Sequence, residues 1–407
     1  MPTESGNSTN TTSPTGQADT PAKGWLLDEF KVGDFFFASP NTQYRARGKE
    51  GVLSSYKPAT SASVQALFEQ ARQRGISDPL MFGLVPFDST DAASMAIPLR
   101  YESDGIPAAS AVSAGQPASS NAKPKIVRRE PVPAPQEYGD MVRKALTLFA
   151  QGELKKVVLA RAMDIELDRP LDYERLLPDL LSRNAHGYTF AVPIWANGDQ
   201  TEPTGVMVGA SPELLVRREG DRIYVNPLAG SIGRSSDPDI DRERREGLAC
   251  SEKDLREHSY VVSDIERILR PYCDELEVPA GPSVIGTDTL WHLSTYITGR
   301  LRDPSVTALD LSCALHPTPA ICGHPTAAAF GHIRDLEPFD REYFAGLVGW
   351  QRANGDGEWA LSLRCALHTD ANRLRLYAGA GTVAGSDPDS EIAETATKME
   401  TFMRAIS

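Results

Sequence analysis

Two stretches of the chain carry acids at helical spacing. One reads SEKDLREH from Ser251 to His258 and continues SYVVSDIERIL; the other reads SEIAETATKMETFMRA from Ser390. A helix advances about 100° per residue, so offsets of about 0, 3, 7, 11 and 14 residues fall within about 80° of arc. Counted from Asp254 they give Asp254, Glu257, Val261, Ile265 and Ile268; counted from Glu391 they give Glu391, Glu394, Lys398, Phe402 and Ala405. In each case two carboxylates head a stripe that ends apolar. For either helix alone, the dipole and capping preferences of a first turn explain acids there. Two helices with the same stripe favour a second explanation, because a carboxylate facing a core must be paired, protonated or bound to a metal. Four oxygen donors suit a hard divalent ion such as Mg2+, which takes one or two carboxylates, keeps several waters and completes its shell from an anionic ligand.

Bulk properties narrow the partners. Of 407 residues, 41% are hydrophobic and 24% charged, as in a soluble globular protein. A net charge of -13 disfavours nucleic acid or an anionic membrane as partner. An anionic substrate must therefore be met by a few local cations. The five cysteines, Cys250, Cys273, Cys313, Cys322 and Cys365, contain no CxxC pair, which argues against a disulfide framework or a structural zinc and fits a reducing cytosol. No run approaches the roughly 18 apolar residues of a membrane span, and the N-terminus lacks the regions of a signal peptide. A soluble cytoplasmic protein is expected.

The elements that must position the acids follow from pattern. Residues 1–23 are polar and rich in Ser, Thr and Pro, so they are expected to form a disordered tail. A similar Ala/Ser/Pro stretch at about 106–125 reads from composition as either a linker or a surface loop. Beyond it KVVLARAMDIEL, GVMVGASPELLVRR, RIYVNPL and RLRLYAGAG read as strands, and YGDMVRKALTLFAQGEL, LDYERLLPDLLSR and DIERILRPYC as helices. The fold class is mixed α/β (α+β) with large sheets. Length alone would suggest two or three domains.

The motifs KKVVLAR, GASPELL, NPLAGSIGR, SEKDLREH, TLWHL, LHPTPAICG, EPFDREYFAGLVGW, SLRCA, LYAGAG and EIAETATK stand in this order. The chain thereby resembles the chorismate-utilising enzymes, a family that includes anthranilate synthase component I, salicylate synthase and isochorismate synthase. The resemblance is strongest to the isochorismate synthases of catechol siderophore pathways and reaches upstream to DFFFASP and FGLVPFD. It implies one large domain over residues 24–407, in which two antiparallel sheets pack together with helices outside and the active site between them. The stretch at about 106–125 then becomes a surface insertion.

The resemblance also implies roles. Water would attack C2 of the chorismate ring while the C4 hydroxyl leaves, giving isochorismate. This requires a base, an acid and a cation on the ring carboxylate. Lys156 matches the base; strand alternation puts its neighbour Lys155 on the opposite face, and a lysine serves as base only if its pKa is brought toward neutrality. Glu213 matches the acid and must hold its proton near neutral pH. Glu257 and Glu394 match the metal-binding glutamates, with Asp254 and Glu391 one turn earlier. Arg364 matches the arginine that binds the enolpyruvyl carboxylate, a task suited to its planar fork, and Lys398 resembles a second carboxylate contact. His292 matches a residue beside the ring, although a satisfied core histidine is the alternative. Gly230, Gly379 and Gly381 resemble backbone contacts to substrate, a role that turn geometry rivals; Ala320 and Phe344 would line the pocket. His186, His316, His324, His332 and His368 form no metal-ligand spacing.

Lys156 and the HPTPA segment favour a Mg2+-dependent, water-using isochorismate synthase. Such an enzyme is expected to be monomeric, with transient contacts to downstream pathway enzymes. Salicylate synthase, which goes on to eliminate pyruvate, and the menaquinone-pathway isochorismate synthases are the alternatives within the family. A non-catalytic chorismate-binding scaffold is the alternative outside catalysis, and its signature would be loss of Lys156, Glu213 or one of the acids.

Overall fold

The computed structural model describes residue 27 and residues 29–104, 123–196 and 202–406. The tail at 1–23 and most of the stretch at 106–125 lie outside the described residues. Among those described, eight α-helices accompany three antiparallel sheets of ten, nine and three strands.

The first sheet is built around Lys156–Leu167, a twelve-residue strand that pairs with Arg373–Val383 along its length and with Ile126–Val132 at its far half. Beyond Arg373–Val383 come Cys365–Asp370, Gly205–Ser211, Tyr188–Ile194 and Phe35–Ala38. In the second sheet Leu214–Glu219 lies between Arg222–Asn226 and Gly357–Leu361, followed by Leu347–Arg352 and Leu80–Val85. The two sheets share one buried apolar cluster, in which Phe35 of the first meets Phe82 of the second at 5.1 Å between ring centroids. Helices Pro135–Ala150, Tyr173–Arg183 and Pro388–Ile406 pack on the first sheet or on one another, while Ser61–Gln73 and Ala308–Leu315 pack on the second. The expected two packed sheets with outer helices are present. The small third sheet, Leu228–Gly233 with Leu290–Ser294 and Ser283–Gly286, adds to that expectation.

GVMVGASPELLVRR differs from the single strand its pattern suggests. It ends one strand at Ser211 and begins another at Leu214, in the other sheet. Pro212 offers no N–H to a ladder, and the chain changes sheets there. Its neighbour does the reverse: Gly357–Leu361 lies in the second sheet and Cys365–Asp370 in the first, joined through Ser362–Arg364. The two crossovers run side by side, with Ala210 N donating to Arg364 O at 3.1 Å and Leu361 N to Glu213 O at 3.2 Å. Arg364 takes a left-handed conformation with φ 48 to make its corner.

DIERILRPYC is likewise shorter as a helix than it reads, ending at Leu269 before a 3-10 turn over Arg270–Tyr272, because Pro271 removes a donor. The two acid-bearing helices are capped as their sequences suggest. Ser251 Oγ accepts from Asp254 N at 3.3 Å, and Asp387 Oδ1 accepts from Ser390 N at 2.9 Å with Pro388 opening the helix. No helix among the described residues is long and apolar enough to cross a membrane.

Gly209 makes the paired crossing possible, since a Cβ there would stand 2.6 Å from Cys365 Cβ and 2.9 Å from Arg364 O. Gly209→Ala is expected to cost about 1–3 kcal/mol in urea unfolding; a variant as stable as the parent would mean that the two crossovers can separate freely.

Candidate active site

A cavity of about 280 Å³ opens where the paired crossovers, the third sheet and the first turns of the two acid-bearing helices meet. Glu213, Gly230, Asp254, Glu257, His292, Ala320, Phe344, Arg364, Gly379, Gly381, Glu391, Glu394 and Lys398 all line it. Residues scattered over 186 positions of sequence, from Glu213 to Lys398, thus share one wall. Lys156 does not itself line the cavity: it is 0% exposed, and its Nζ lies 2.9 Å from Oε1 of Glu257, which does. That contact is an ion pair by distance, and Nζ makes no hydrogen bond among the described residues. Lys155 points away and is exposed, as alternation requires.

Glu213 sits on the first crossover, 4% exposed, with Oε1 accepting from Leu228 N at 3.1 Å. Burial pushes its pKa up to about 7, against the opposing pull of the Leu228 amide and of Lys156, Lys398 and Arg364. A carboxyl in that state can donate a proton near neutral pH. Arg364 sits on the second crossover; burial draws its pKa down to about 10, so the guanidinium stays charged. Its Nη2 lies 3.4 Å from His292 Nε2, and His292 Nδ1 lies 2.8 Å from Ser231 Oγ. Burial, then Arg364 and Lys398, hold His292 well below its usual pKa, so the ring is neutral. A guanidinium only donates. Nε2 is therefore the acceptor, and Nδ1–H donates to Ser231. His292 is hydrogen-bonded on both sides and also lines the cavity, so the two readings of it are compatible.

The acid pairs behave as buried carboxylates must. Glu257 pairs with Lys156, while Glu394 pairs with Lys398 at 2.7 Å and Lys398 also donates to Gly379 O at 2.8 Å. Asp254 accepts from Ser251 Oγ, and burial followed by Glu257 raises its pKa. Glu391 is 2% exposed, lies 3.8 Å from Lys253, and is raised to about 7 by burial and then by Glu394. Its Oε2 is buried without a hydrogen-bond partner among the described residues. Glu252, one residue into the same turn, is exposed and faces away. Gly381 matters sterically, because a Cβ there would stand 2.4 Å from Glu257 Oε1.

This donor set fits a hard cation: every candidate ligand is a carboxylate oxygen, and one buried oxygen lacks a partner. Among the described residues no three acids, histidines or cysteines are gathered closely enough to enclose an ion unaided. An ion held here would keep waters and ligand oxygens in its shell, as Mg2+ does. A dianionic ligand here would face these four carboxylates as well as Lys253, Arg364 and Lys398, so a divalent ion would supply positive charge that the side chains do not.

Sequence reasoning did not single out Lys253, Ser231, Arg341, Tyr377 or Ser390, which also line the cavity. Arg341 was in view within EPFDREYFAG, but periodicity gives no sign that a charged residue beside an aromatic run is buried.

Comparison with known proteins agrees with the motif resemblance. Residues 101–407 match the family described as chorismate binding enzyme. The chain is 44% identical over 386 residues to isochorismate synthase DhbC of Bacillus subtilis, covering 94% of this chain and 95% of that one. It is 40% identical over 373 residues to the vibriobactin-specific isochorismate synthase of Vibrio cholerae, covering 91% of each. Among solved structures, DhbC from Bacillus anthracis, described as 2,3-dihydroxybenzoate-specific, aligns with a TM-score of 0.84 at 40% identity over 94% of this chain and 98% of that one.

The state of Glu213 has a measurable consequence for stability. Its folded pKa of about 7 lies above the ordinary value of 4.5, so the folded state is favoured by the bound proton below pH 4.5 and loses that advantage as pH rises to about 7. Glu213→Gln does not titrate. Relative to the parent, its stability in urea should gain up to about 3 kcal/mol between those limits and then level off; a difference that is flat with pH would mean that Glu213 is ionised throughout.

Proposed function

The chain belongs to the chorismate binding enzymes, and on that premise we propose that it is an isochorismate synthase, converting chorismate to isochorismate by water attack at C2 and departure of the C4 hydroxyl. Similarity to isochorismate synthases along nearly the whole chain carries this choice of reaction. In the proposed cycle Lys156 takes a proton from the attacking water and Glu213 gives one to the departing oxygen. One water is consumed and one released, so the net change is an isomerisation.

The site's residues divide the remaining work. Arg364 offers its fork to the enolpyruvyl carboxylate, with His292 and Ser231 bracing it from behind. Lys398 provides a second positive contact and ties the Gly379 backbone to Glu394. Gly230 and Gly381 let backbone approach closely, and Ala320 and Phe344 give the ring an apolar face. Before Nζ of Lys156 can take a proton from water it must give up both its contact with Glu257 and the proton that makes it an ammonium. Asp254, Glu257, Glu391 and Glu394 are the residues that would hold Mg2+, which when bound supplies positive charge opposite the ring carboxylate and orients it.

We read the pathway as that of a catecholate siderophore, which the vibriobactin-specific relative and the DhbC proteins support. A cytoplasmic monomer that meets downstream enzymes transiently is the matching cellular picture. Salicylate synthase remains the second reading, since it shares the first half-reaction.

Purified protein with Mg2+ should convert chorismate to isochorismate reversibly and release no pyruvate. Pyruvate detected by coupled lactate dehydrogenase, with no lyase added, would transfer the assignment to salicylate synthase. Lys156→Ala should remove turnover, by about a thousandfold or more, while chorismate binding measured by calorimetry stays largely intact; an active variant would dismiss Lys156 as the base. Exhaustive chelation should abolish turnover, and Mg2+ added back should restore it. Turnover that survives chelation would sink the metal assignment.

A further inference from the structure

The Glu337–Arg341 pair has no part in the chemistry above, yet it is the most completely connected ion pair beside the cavity. Both side chains are buried, at 1% and 2% exposure. Arg341 Nε donates to Glu337 Oε2 at 2.8 Å and Nη2 to Oε1 at 2.5 Å. The same guanidinium donates through Nη2 to Val158 O at 2.6 Å and through Nη1 to Ile321 O at 3.0 Å. Glu337 Oε1 in turn accepts from Ala160 N at 2.7 Å. Val158 and Ala160 belong to the strand that begins at Lys156, and Ile321 follows Ala320 in the cavity wall. The guanidinium also lies 4.3 Å from the ring centre of Phe87 and 5.9 Å from that of Phe344, itself a wall residue.

Stability alone does not call for this pair. Buried ion pairs are costly to desolvate, and apolar replacements of similar volume are often neutral or stabilising. Nor does the pair alter the charge of the site, because its two members cancel. What it does have is partners on two walls of one cavity: the strand that presents Lys156, and the segment that presents Ala320 and Ile321.

We propose that Glu337 and Arg341 are positioning residues for the reaction, fixing the strand that carries Lys156 against the wall of Ala320, Ile321 and Phe344 and so setting where the base stands relative to the ring. The proposal rests on the isochorismate synthase reading for its kinetic consequence, but the fixing of the strand is a property of the protein without substrate.

Three variants test it. Arg341→Met leaves Glu337 buried and unpaired and should lose both stability and turnover. The double variant Glu337→Leu/Arg341→Met should regain the parent's unfolding temperature to within about 3 °C. Its kcat should nevertheless stay down by about a hundredfold, the scale of a 1 Å misplacement, with KM for chorismate changed less than about threefold. Hydrogen exchange of the peptide spanning residues 156–161 should quicken in the double variant while the rest of the sheet keeps its protection. Should the double variant fail to fold, Glu337→Gln, which keeps the shape and the acceptor for Ala160 N, should still show quickened exchange and about a tenfold loss of kcat.

A kcat that recovers together with stability would make the pair merely structural and overturn the proposal. A rise in KM at constant kcat would make Arg341 a substrate contact, and unchanged exchange would show that the pair does not hold the strand; either result also overturns it. A parent protein that leaves chorismate untouched would sink the reaction assigned above, whereas the exchange comparison uses no substrate and still decides the role of the pair.

Discussion

The architecture depends on two strands changing sheets together. Gly205–Ser211 pairs with Cys365–Asp370 in one sheet, and their continuations Leu214–Glu219 and Gly357–Leu361 pair in the other. A pair that crosses as a unit keeps its backbone groups satisfied through the corner, which a single strand leaving a sheet could not do. At the corner the ladder opens just enough for side chains to turn inward. Glu213 and Arg364 occupy that opening, so the residues proposed as acid and as carboxylate fork come from adjacent corners whose separation the backbone fixes.

Around that corner the site is an exercise in charge placed where water is scarce. Glu257 and Glu394 each have a close ammonium partner, whereas burial raises the pKa of Glu213, Asp254 and Glu391, of which only Glu391 has an ammonium in reach, Lys253 at 3.8 Å. This lets an acidic chain hold an anionic substrate. The overall charge governs encounter at long range, whereas Arg364 and Lys398 line the cavity, where screening is weak.

Much of this was legible in the sequence. Helical spacing alone found Asp254, Glu257, Glu391 and Glu394 on core-facing stripes, because a period of 3.6 is a local property of the chain. Strand alternation separated Lys156 from Lys155 for the same reason. The sheet change at Pro212 was not legible: the flanking residues alternate as one strand would, and only the partners show that they belong to different sheets. The third sheet escaped for a similar reason, its strands being short and Leu228–Gly233 pairing with Leu290–Ser294 far along the chain. Arg341 escaped because burial of a charge depends on acceptors, Val158 O and Ile321 O among them, that only the folded chain brings near. Motif resemblance supplied roles for Lys156, Glu213 and Arg364 that composition and spacing do not carry.

The left-handed backbone at Arg364 has a consequence for anyone selecting hardier versions of this protein. A residue with a Cβ is held there at a cost of about 1 kcal/mol, and glycine would relax it. Selection for thermal resistance alone would therefore be drawn toward removing the guanidinium. With the role proposed for Arg364, the corner is a place where robustness and function pull in opposite directions, and it marks where a stability screen should be blinded.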